Sequence, residues 1–252
     1  MPKNPILQQI LLITDGCSNE GTDPVYIAQA ARDRGITTSV IGILDEGSLG
    51  DQGRREAQNI AEAGGGMCRI VRAADLSSTM QMVTRQSMQL TLHQVVNAEL
   101  RELMGQDANG LPPETRAKVA RMVETLGEEM PVQLALVIDV SASMSTKMPS
   151  VKEAIRDLEF GLGARVGRYE LTVITYPGAR EHAEIQKALA PGESVADAIG
   201  LIRPAGNTPT GPALDLAVKS ILRAAERLDF TESRPQLDDS DEESGSMRHY
   251  VI

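Results

Sequence analysis

Residues 132–143 read VQLALVIDVSAS, a largely apolar run that ends in one carboxylate and two hydroxyls. The apolar run, 132–138, is typical of a strand buried in a parallel sheet. Asp139, Ser141 and Ser143 follow at alternate positions, and their hard oxygens suit a small cation such as Mg²⁺ or Mn²⁺. A strand-to-helix turn capped by serine has the same pattern, so this motif alone leaves both interpretations open.

The composition narrows the class of protein. The chain has 252 residues, of which 41% are hydrophobic, enough for one large or two small domains. Its net charge of -10 argues against binding to nucleic acid or anionic membranes. Two lone cysteines, Cys17 and Cys68, without a signal-peptide pattern or a membrane-length apolar stretch, predict reduced thiols in a cytoplasmic protein.

Predicted strands and helices alternate along the chain. Strands are expected at 6–14, 36–43, 67–72, 132–138, 169–176 and, as a short one, 182–189. Gly64, Gly65 and Gly66 follow a helix rather than precede one, which favours a helix stop over a phosphate-binding loop. The alternation predicts an α/β fold with a doubly wound, mostly parallel sheet.

Two further loops carry oxygen ligands after predicted strands or before a helix. Asp15 ends the strand pattern ILLIT, and Thr208 lies in the loop GNTPTG at 206–211. Ligands of doubly wound sheets bind at the carboxyl ends of the strands. The candidate metal ligands are therefore two carboxylates and three hydroxyls, namely Asp139, Ser141, Ser143, Thr208 and Asp15.

These three loops together resemble the metal-ion-dependent adhesion site (MIDAS) of von Willebrand factor A (vWA) domains. DVSAS at 139–143, NTPTGPALDLA at 207–217 and ITDGCSNEGTDP at 13–24 fill all five family positions. The resemblance implies a Rossmann-like fold with one antiparallel edge strand. It also implies that the two serines and Thr208 contact the metal, while Asp139 and Asp15 act directly or through water.

The order of the motifs differs from that of the family. There the DxSxS strand comes first and the ITDG strand later, whereas here ITDG opens the chain. The interpretation is a single circularly permuted domain at 5–230, because domain termini often lie close together. Residues 5–104 supply the second half of the fold, 132–230 the first half, and 105–131 a helical connector. Asp15 and Asp139 are then expected to end adjacent parallel strands.

Other arrangements of the two halves stay open at this point. They could be pieces of two truncated domains, or they could pair between chains in a swapped homodimer rather than within a monomer. Residues 231–252 carry an acidic block and predict a disordered tail. The sequence VVNAELRELMG at 95–105 also resembles uncharacterised proteins encoded beside a sporulation phosphatase and a Ser/Thr kinase in spore-forming bacteria.

The function implied is that of a cytoplasmic, metal-dependent protein-binding module. The cation would capture an Asp or Glu of a protein partner, with no role for nucleic acid or membrane. An accessory subunit of an ATPase or kinase complex is one alternative, and any nucleotide chemistry would then belong to the partner, since the chain has no phosphate-binding loop motif. A metal-assisted hydrolase is another, but no general base is evident and catalysis is not expected.

The methionines allow two interpretations. Met80, Met82, Met88, Met104 and Met122 fall in one predicted helix and the stretch after it. They either fill the core of an aromatic-poor protein or line a groove for a partner helix.

Overall fold

Six strands form one mixed sheet in the computed structural model, which describes residues 6–44, 50–105, 107–187 and 194–232. The strands are β1 (Leu7–Thr14), β2 (Thr37–Leu44), β3 (Gly65–Arg72), β4 (Val132–Asp139), β5 (Tyr169–Tyr176) and β6 (Glu184–Gln186). Their order across the sheet is β3-β2-β1-β4-β5-β6. All neighbours are parallel except β5 and β6, so the predicted antiparallel edge strand is confirmed.

The two central strands come from opposite ends of the chain. β1 pairs with β4 in parallel, from Leu7 opposite Val132 to Ile13 opposite Ile138. Every residue of β4 is buried, as a strand covered on both faces requires. The expectation that Asp15 and Asp139 end adjacent parallel strands is therefore confirmed.

Seven α-helices of the described residues cover the two faces of the sheet. They are α1 (Pro24–Arg32), α2 (Asp51–Ala63), α3 (Leu76–Met104), α4 (Pro113–Glu129), α5 (Met148–Gly163), α6 (Val195–Ile199) and α7 (Thr210–Glu232). Helices α3, α4, α5 and α6 pack on one face. Helices α1, α2 and α7 pack on the other. None of the helices in the described ranges is long and apolar enough to cross a bilayer.

The connector between the halves is an ordered part of the core. Helix α4 lies against α3, and Val123 at its centre is only 1% exposed. Leu126 and Met130 pack on the same hydrophobic cluster. Helix α7 continues to Glu232, so it includes the first two residues of the predicted tail. The rest of that tail, residues 233–252, lies outside the described part of the chain.

The predicted helix stop at the glycines is confirmed, because α2 ends at Ala63 and Gly64 caps it. The strand that follows was predicted to begin at residue 67, but β3 already begins at Gly65. A Cβ on Gly66 would lie 2.2 Å from the carbonyl oxygen of Thr38, so this glycine allows β3 to approach β2 closely. Asp75 precedes α3 and makes no side-chain capping hydrogen bond, and a 3₁₀ turn, Ala73–Asp75, leads into the helix.

The five methionines divide between core and surface. Met80 and Met88 are buried in the cluster under α3. Met82, Met104 and Met122 are 38%, 56% and 60% exposed. Met82 and Met88 line a groove of about 750 Å³ bounded by α3, α4 and α5. Core filling thus accounts for two of the five.

Candidate functional site

Asp139 stands at the carboxyl end of β4 with both carboxylate oxygens held in place. The Ser141 backbone N–H donates to Oδ1 at 2.8 Å, and the Thr14 hydroxyl donates to Oδ2 at 2.9 Å. Thr14 is the last residue of β1, so this second bond crosses between the central strands. The two strand ends are therefore joined by a buried side-chain hydrogen bond.

Ser143 of the first motif bonds directly to Asp15, and Ser141 is linked to Asp15 through Ser143. The Ser143 hydroxyl donates to Asp15 Oδ1 at 2.7 Å, and the Ser141 and Ser143 hydroxyl oxygens lie 3.2 Å apart. Asp139, Ser141, Ser143 and Asp15 thus form one hydrogen-bonded group of candidate oxygen ligands. The structure brings together four of the five residues that the sequence predicted.

Thr208 is buried, and its backbone fixes its position. Its N–H donates to Asn19 Oδ1 at 2.8 Å, and its carbonyl accepts from the Asn19 N–H at 3.2 Å. The described hydrogen bonds of Thr208 run to Asn19 and Thr210 rather than to the other four ligands. Asn19 therefore holds the threonine loop against the loop that follows Asp15, a role that the sequence alone did not indicate.

The loop that carries Thr208 and the loop that follows Asp15 also approach each other closely at two glycines, Gly21 and Gly211. A Cβ on Gly211 would lie 1.7 Å from the Thr22 carbonyl oxygen, and one on Gly21 would lie 2.5 Å from Pro212. The first of these contacts involves the backbone of Thr22, which cannot rotate away as a flexible side chain can, so an added methyl group would force the two loops apart. The close approach ties the position of Thr208 to that of the ITDG loop.

Gly211→Ala is expected to destabilise the protein by about 3 kcal/mol, the upper range for an overpacked site. The added methyl group must push the loops apart, which also displaces Thr208. Gly161→Ala is the matched control, because no atom lies within 4 Å of its Cβ position in α5. Urea unfolding of both variants measures the difference, and equal stabilities would show that the loops are not locked together.

Burial makes the Asp139 carboxylate costly in its charged form. Desolvation raises its pKa from 3.8 to about 6, against hydrogen bonds from Ser141 and Thr14 that lower it. The charge of Asp15 adds a smaller upward effect on the pKa of Asp139. Its hydrogen-bond partners Thr14 and Ser141 are neutral, so the ionised Asp139 is a buried negative charge that a cation would compensate.

Lys147 is a charged member of the site that sequence reasoning missed. Its ammonium group lies 2.5 Å from Asp15 Oδ2 and 3.2 Å from the Ser143 carbonyl oxygen. The side chain is 2% exposed, which is rare for lysine without an ionic partner. Its place four residues after Ser143, just before α5, was the only available signal.

Tyr176, at the end of β5, adds a second buried group that was not predicted. Burial raises the pKa of Tyr176 well above 10, and the negative charge of Asp139 acts in the same direction. Its hydroxyl lies near Thr14 and Thr210 without a hydrogen bond of ordinary geometry. Tyr176, which is opposite Asp139 in the pairing of β4 and β5, therefore stays protonated at neutral pH.

Among the described residues, neither Cys17 nor His182 has the features of a catalytic nucleophile or general base at this site. Burial, and then the charge of Glu56, raises the pKa of the Cys17 thiol, which opposes thiolate formation at neutral pH. His182 lies 3.3 Å from Glu20 on the protein surface, with its side chain 57% exposed. His93 lies in α3, and His249 falls outside the described residues.

The donor set fits a hard divalent cation. In the described ranges no three His, Cys, Asp or Glu side chains converge, so a cation at this site would depend on hydroxyl oxygens as well as two carboxylates. Such a set suits Mg²⁺ or Mn²⁺, which retain several waters, rather than a metal that prefers nitrogen or sulfur ligands. The fit is supported by the burial of Asp139, because a bound cation would compensate its negative charge.

Comparisons with known proteins agree with this fold. The family model for the von Willebrand factor type A domain matches residues 3–86. The uncharacterised protein YabS of Bacillus subtilis (strain 168) is 42% identical over 214 residues, 84% of this chain and 87% of YabS. A crystal structure of an uncharacterised protein from Alicyclobacillus acidocaldarius is 46% identical, with a TM-score of 0.82, covering 89% of this chain and 97% of that one.

A more distant match is the proximal thread matrix protein 1 of the mussel byssus, solved with zinc in its MIDAS motif. It is 17% identical over 80% of this chain and 43% of its own, with a TM-score of 0.22. That overlap is too small for its zinc to bear on this site. The fold, the sheet order and the first two relatives define a Rossmann-like α/β domain. The chain belongs to the von Willebrand factor type A domain family.

Proposed function

We propose that the protein is a cytoplasmic, metal-dependent binding module that captures a carboxylate of a protein partner. The observation that carries this proposal is the hydrogen-bonded group of Asp139, Ser141, Ser143 and Asp15 at the ends of adjacent parallel strands. Domains of this family commonly bind a divalent metal at such a site, and Mg²⁺ is the cation that the oxygen ligands favour.

Each side chain has a distinct task in this proposal. Ser141 and Ser143 offer hydroxyl oxygens, and Asp139 and Asp15 supply negative charge directly or through water. Thr14 and the Ser141 N–H orient the Asp139 carboxylate, and Asn19 positions Thr208. A bound divalent cation would supply the positive charge that attracts an acidic side chain of the partner.

The partner is proposed to be a protein, and the module is proposed not to be an enzyme. The raised pKa of Cys17 and the surface position of His182 support a binding role over a hydrolytic one. A kinase or ATPase complex, including one linked to sporulation, is the partner class that the sequence suggested. The Cys17 and Cys68 thiols are free, as a cytoplasmic protein permits.

Circular permutation is our proposed explanation for the motif order. The two halves of one chain pair through β1 and β4, so a single chain suffices to build the sheet. This observation supports a monomeric domain, with the swapped homodimer as the alternative that a measurement of molecular mass distinguishes.

The metal claim is tested with Ser143→Ala and its matched control Ser145→Ala. Both serines are exposed and lie in the same 3₁₀ turn, Ala142–Thr146, but only Ser143 bonds to Asp15. We expect Ser143→Ala to weaken Mg²⁺ binding on the order of tenfold, the scale for losing a supporting ligand group. Isothermal titration calorimetry measures the affinities.

Ser145→Ala should bind Mg²⁺ like the unchanged protein. Equal affinities for all three proteins would remove Ser143 from the ligand set, and an unchanged protein that does not bind Mg²⁺ would end the proposal. A pull-down with Mg²⁺ or EDTA then identifies the partner. A partner set indifferent to EDTA would mean that this site is not the binding surface.

A further inference from the structure

Lys147 is a buried lysine whose ammonium group pairs with Asp15. Its backbone N–H donates to the Met144 carbonyl at 2.9 Å, and its own carbonyl accepts from the Val151 N–H at 3.0 Å. These bonds place Lys147 at the junction of the 3₁₀ turn and α5, with the ammonium group directed at Asp15. The position of the charge is thus set by the same turn that carries Ser141 and Ser143.

The net charge of the buried side chains at the site is -1, which a divalent cation would more than neutralise. Asp15 and Asp139 contribute two negative charges, and Lys147 returns one positive charge at 2.5 Å from Asp15. A divalent cation would therefore leave the site with one surplus positive charge in surroundings that water barely reaches. An incoming carboxylate would remove that surplus, because it brings one negative charge.

We propose that Lys147 makes metal binding and acidic-ligand binding depend on each other. The inference rests on the proposed function and assigns Lys147 as a positioning and charge-balancing residue rather than a ligand. The positive charge of Lys147 lowers the affinity of the site for the cation alone. It increases the factor by which a bound carboxylate raises that affinity. The coupling is reciprocal, so the cation strengthens carboxylate binding by the same factor.

The direction of the effect follows from Coulomb's law. A unit charge a few ångströms from a divalent cation changes its affinity by at least an order of magnitude, even at the effective dielectric constant of a protein surface. Lys147→Met removes the charge and keeps much of the side-chain length. It is expected to bind Mg²⁺ about tenfold more tightly than the unchanged protein, because Asp15 becomes fully available.

The test uses Mg²⁺ titrations by calorimetry in sodium chloride and in sodium acetate of equal ionic strength, with acetate as the carboxylate probe. We expect acetate to raise the Mg²⁺ affinity of the unchanged protein several-fold, and to raise that of Lys147→Met much less. Lys147→Arg keeps the charge and should behave like the unchanged protein. Lys152→Met is the control, since this partly exposed lysine pairs with Asp197 away from the site.

The outcomes distinguish failure of the coupling from failure of the proposed function. If acetate leaves the affinity of the unchanged protein the same, or if Lys147→Met binds Mg²⁺ no more tightly, the coupling is wrong while metal binding stands. If the unchanged protein binds no Mg²⁺ but Lys147→Met does, the proposed function fails and the opposing role of the lysine is upheld. If neither binds Mg²⁺, both proposals are overturned.

Folding of the variant is checked separately. Removing Lys147 leaves Asp15 without its ionic partner, which destabilises a buried pair strongly. Circular dichroism in EDTA and in Mg²⁺ is expected to show that the cation restores the fold of Lys147→Met. Should Lys147→Met not fold in either solution, the acetate comparison on the unchanged protein still tests the coupling, because an Mg²⁺ affinity that acetate leaves the same overturns it.

Discussion

Asp139→Asn is expected to make the metal-free protein more stable at pH 7 and to abolish its response to Mg²⁺. Asp139 is buried, and its charged form is disfavoured in the folded state, so its pKa is about 6 rather than 3.8. The asparagine is isosteric and neutral, and its amide keeps the oxygen that accepts from the Ser141 N–H. The gain is about 2 kcal/mol, below the 3 kcal/mol that the pKa difference allows, because one charge-assisted bond is lost.

The pH dependence follows from the direction of this shift. Because the folded state holds its proton at higher pH than the unfolded chain, the folded state binds more protons between pH 3.8 and about 6. The stability of the metal-free protein therefore falls as pH rises through this window, and the cost is largest above it. The advantage of Asp139→Asn should shrink by roughly half on going from about pH 7 to about pH 5.

Urea unfolding in EDTA and in saturating Mg²⁺ measures both effects. The cation should stabilise the unchanged protein by about 2.7 kcal/mol at a hundredfold excess over Kd, which reverses the order of the two proteins. Asp33→Asn, at an exposed aspartate, should match the unchanged protein in both solutions. A less stable Asp139→Asn in EDTA would mean that burial of the charge is not costly, and an intact Mg²⁺ response would remove Asp139 from the site.

Separated halves of the chain are expected not to fold, whereas their mixture should. A protease site placed after Gly105, an exposed residue that ends α3, divides the chain into residues 1–105 and 106–252. The first piece keeps β1, β2 and β3, and the second keeps β4, β5 and β6. Each piece exposes one side of a central strand whose residues are almost all buried in the whole protein.

Thermal unfolding followed by circular dichroism measures the result. Neither purified piece should show a cooperative transition, and an equimolar mixture should regain the transition of the cleaved but undivided complex. The uncut protein with the inserted site is the control, and it should unfold near the unchanged protein because nothing packs within 4 Å of the Gly105 Cβ position. A cooperative transition in one isolated piece would contradict a single domain with one core.

Much of the fold was predictable because its central strands are locally unambiguous. The runs before Asp15 and Asp139 are apolar at nearly every position, and the buried strands β1 and β4 are the result. Strand termini were predicted less well where a tertiary contact decided them. β3 begins at Gly65 because its backbone packs against Thr38, a residue that is distant in the sequence.

The candidate site, like the fold, was predictable only in part from the sequence. The sequence by itself determined which oxygen-bearing side chains are candidate ligands, since Asp139, Ser141 and Ser143 follow one strand and Asp15 follows another. Only the tertiary structure decided that Thr14 bonds Asp139 and that Lys147 neutralises Asp15, because these pairs are 125 and 132 residues apart. The burial of a strand can be predicted from its own apolar residues. The balance of charges at the site cannot, because it depends on which distant strands and loops pack together.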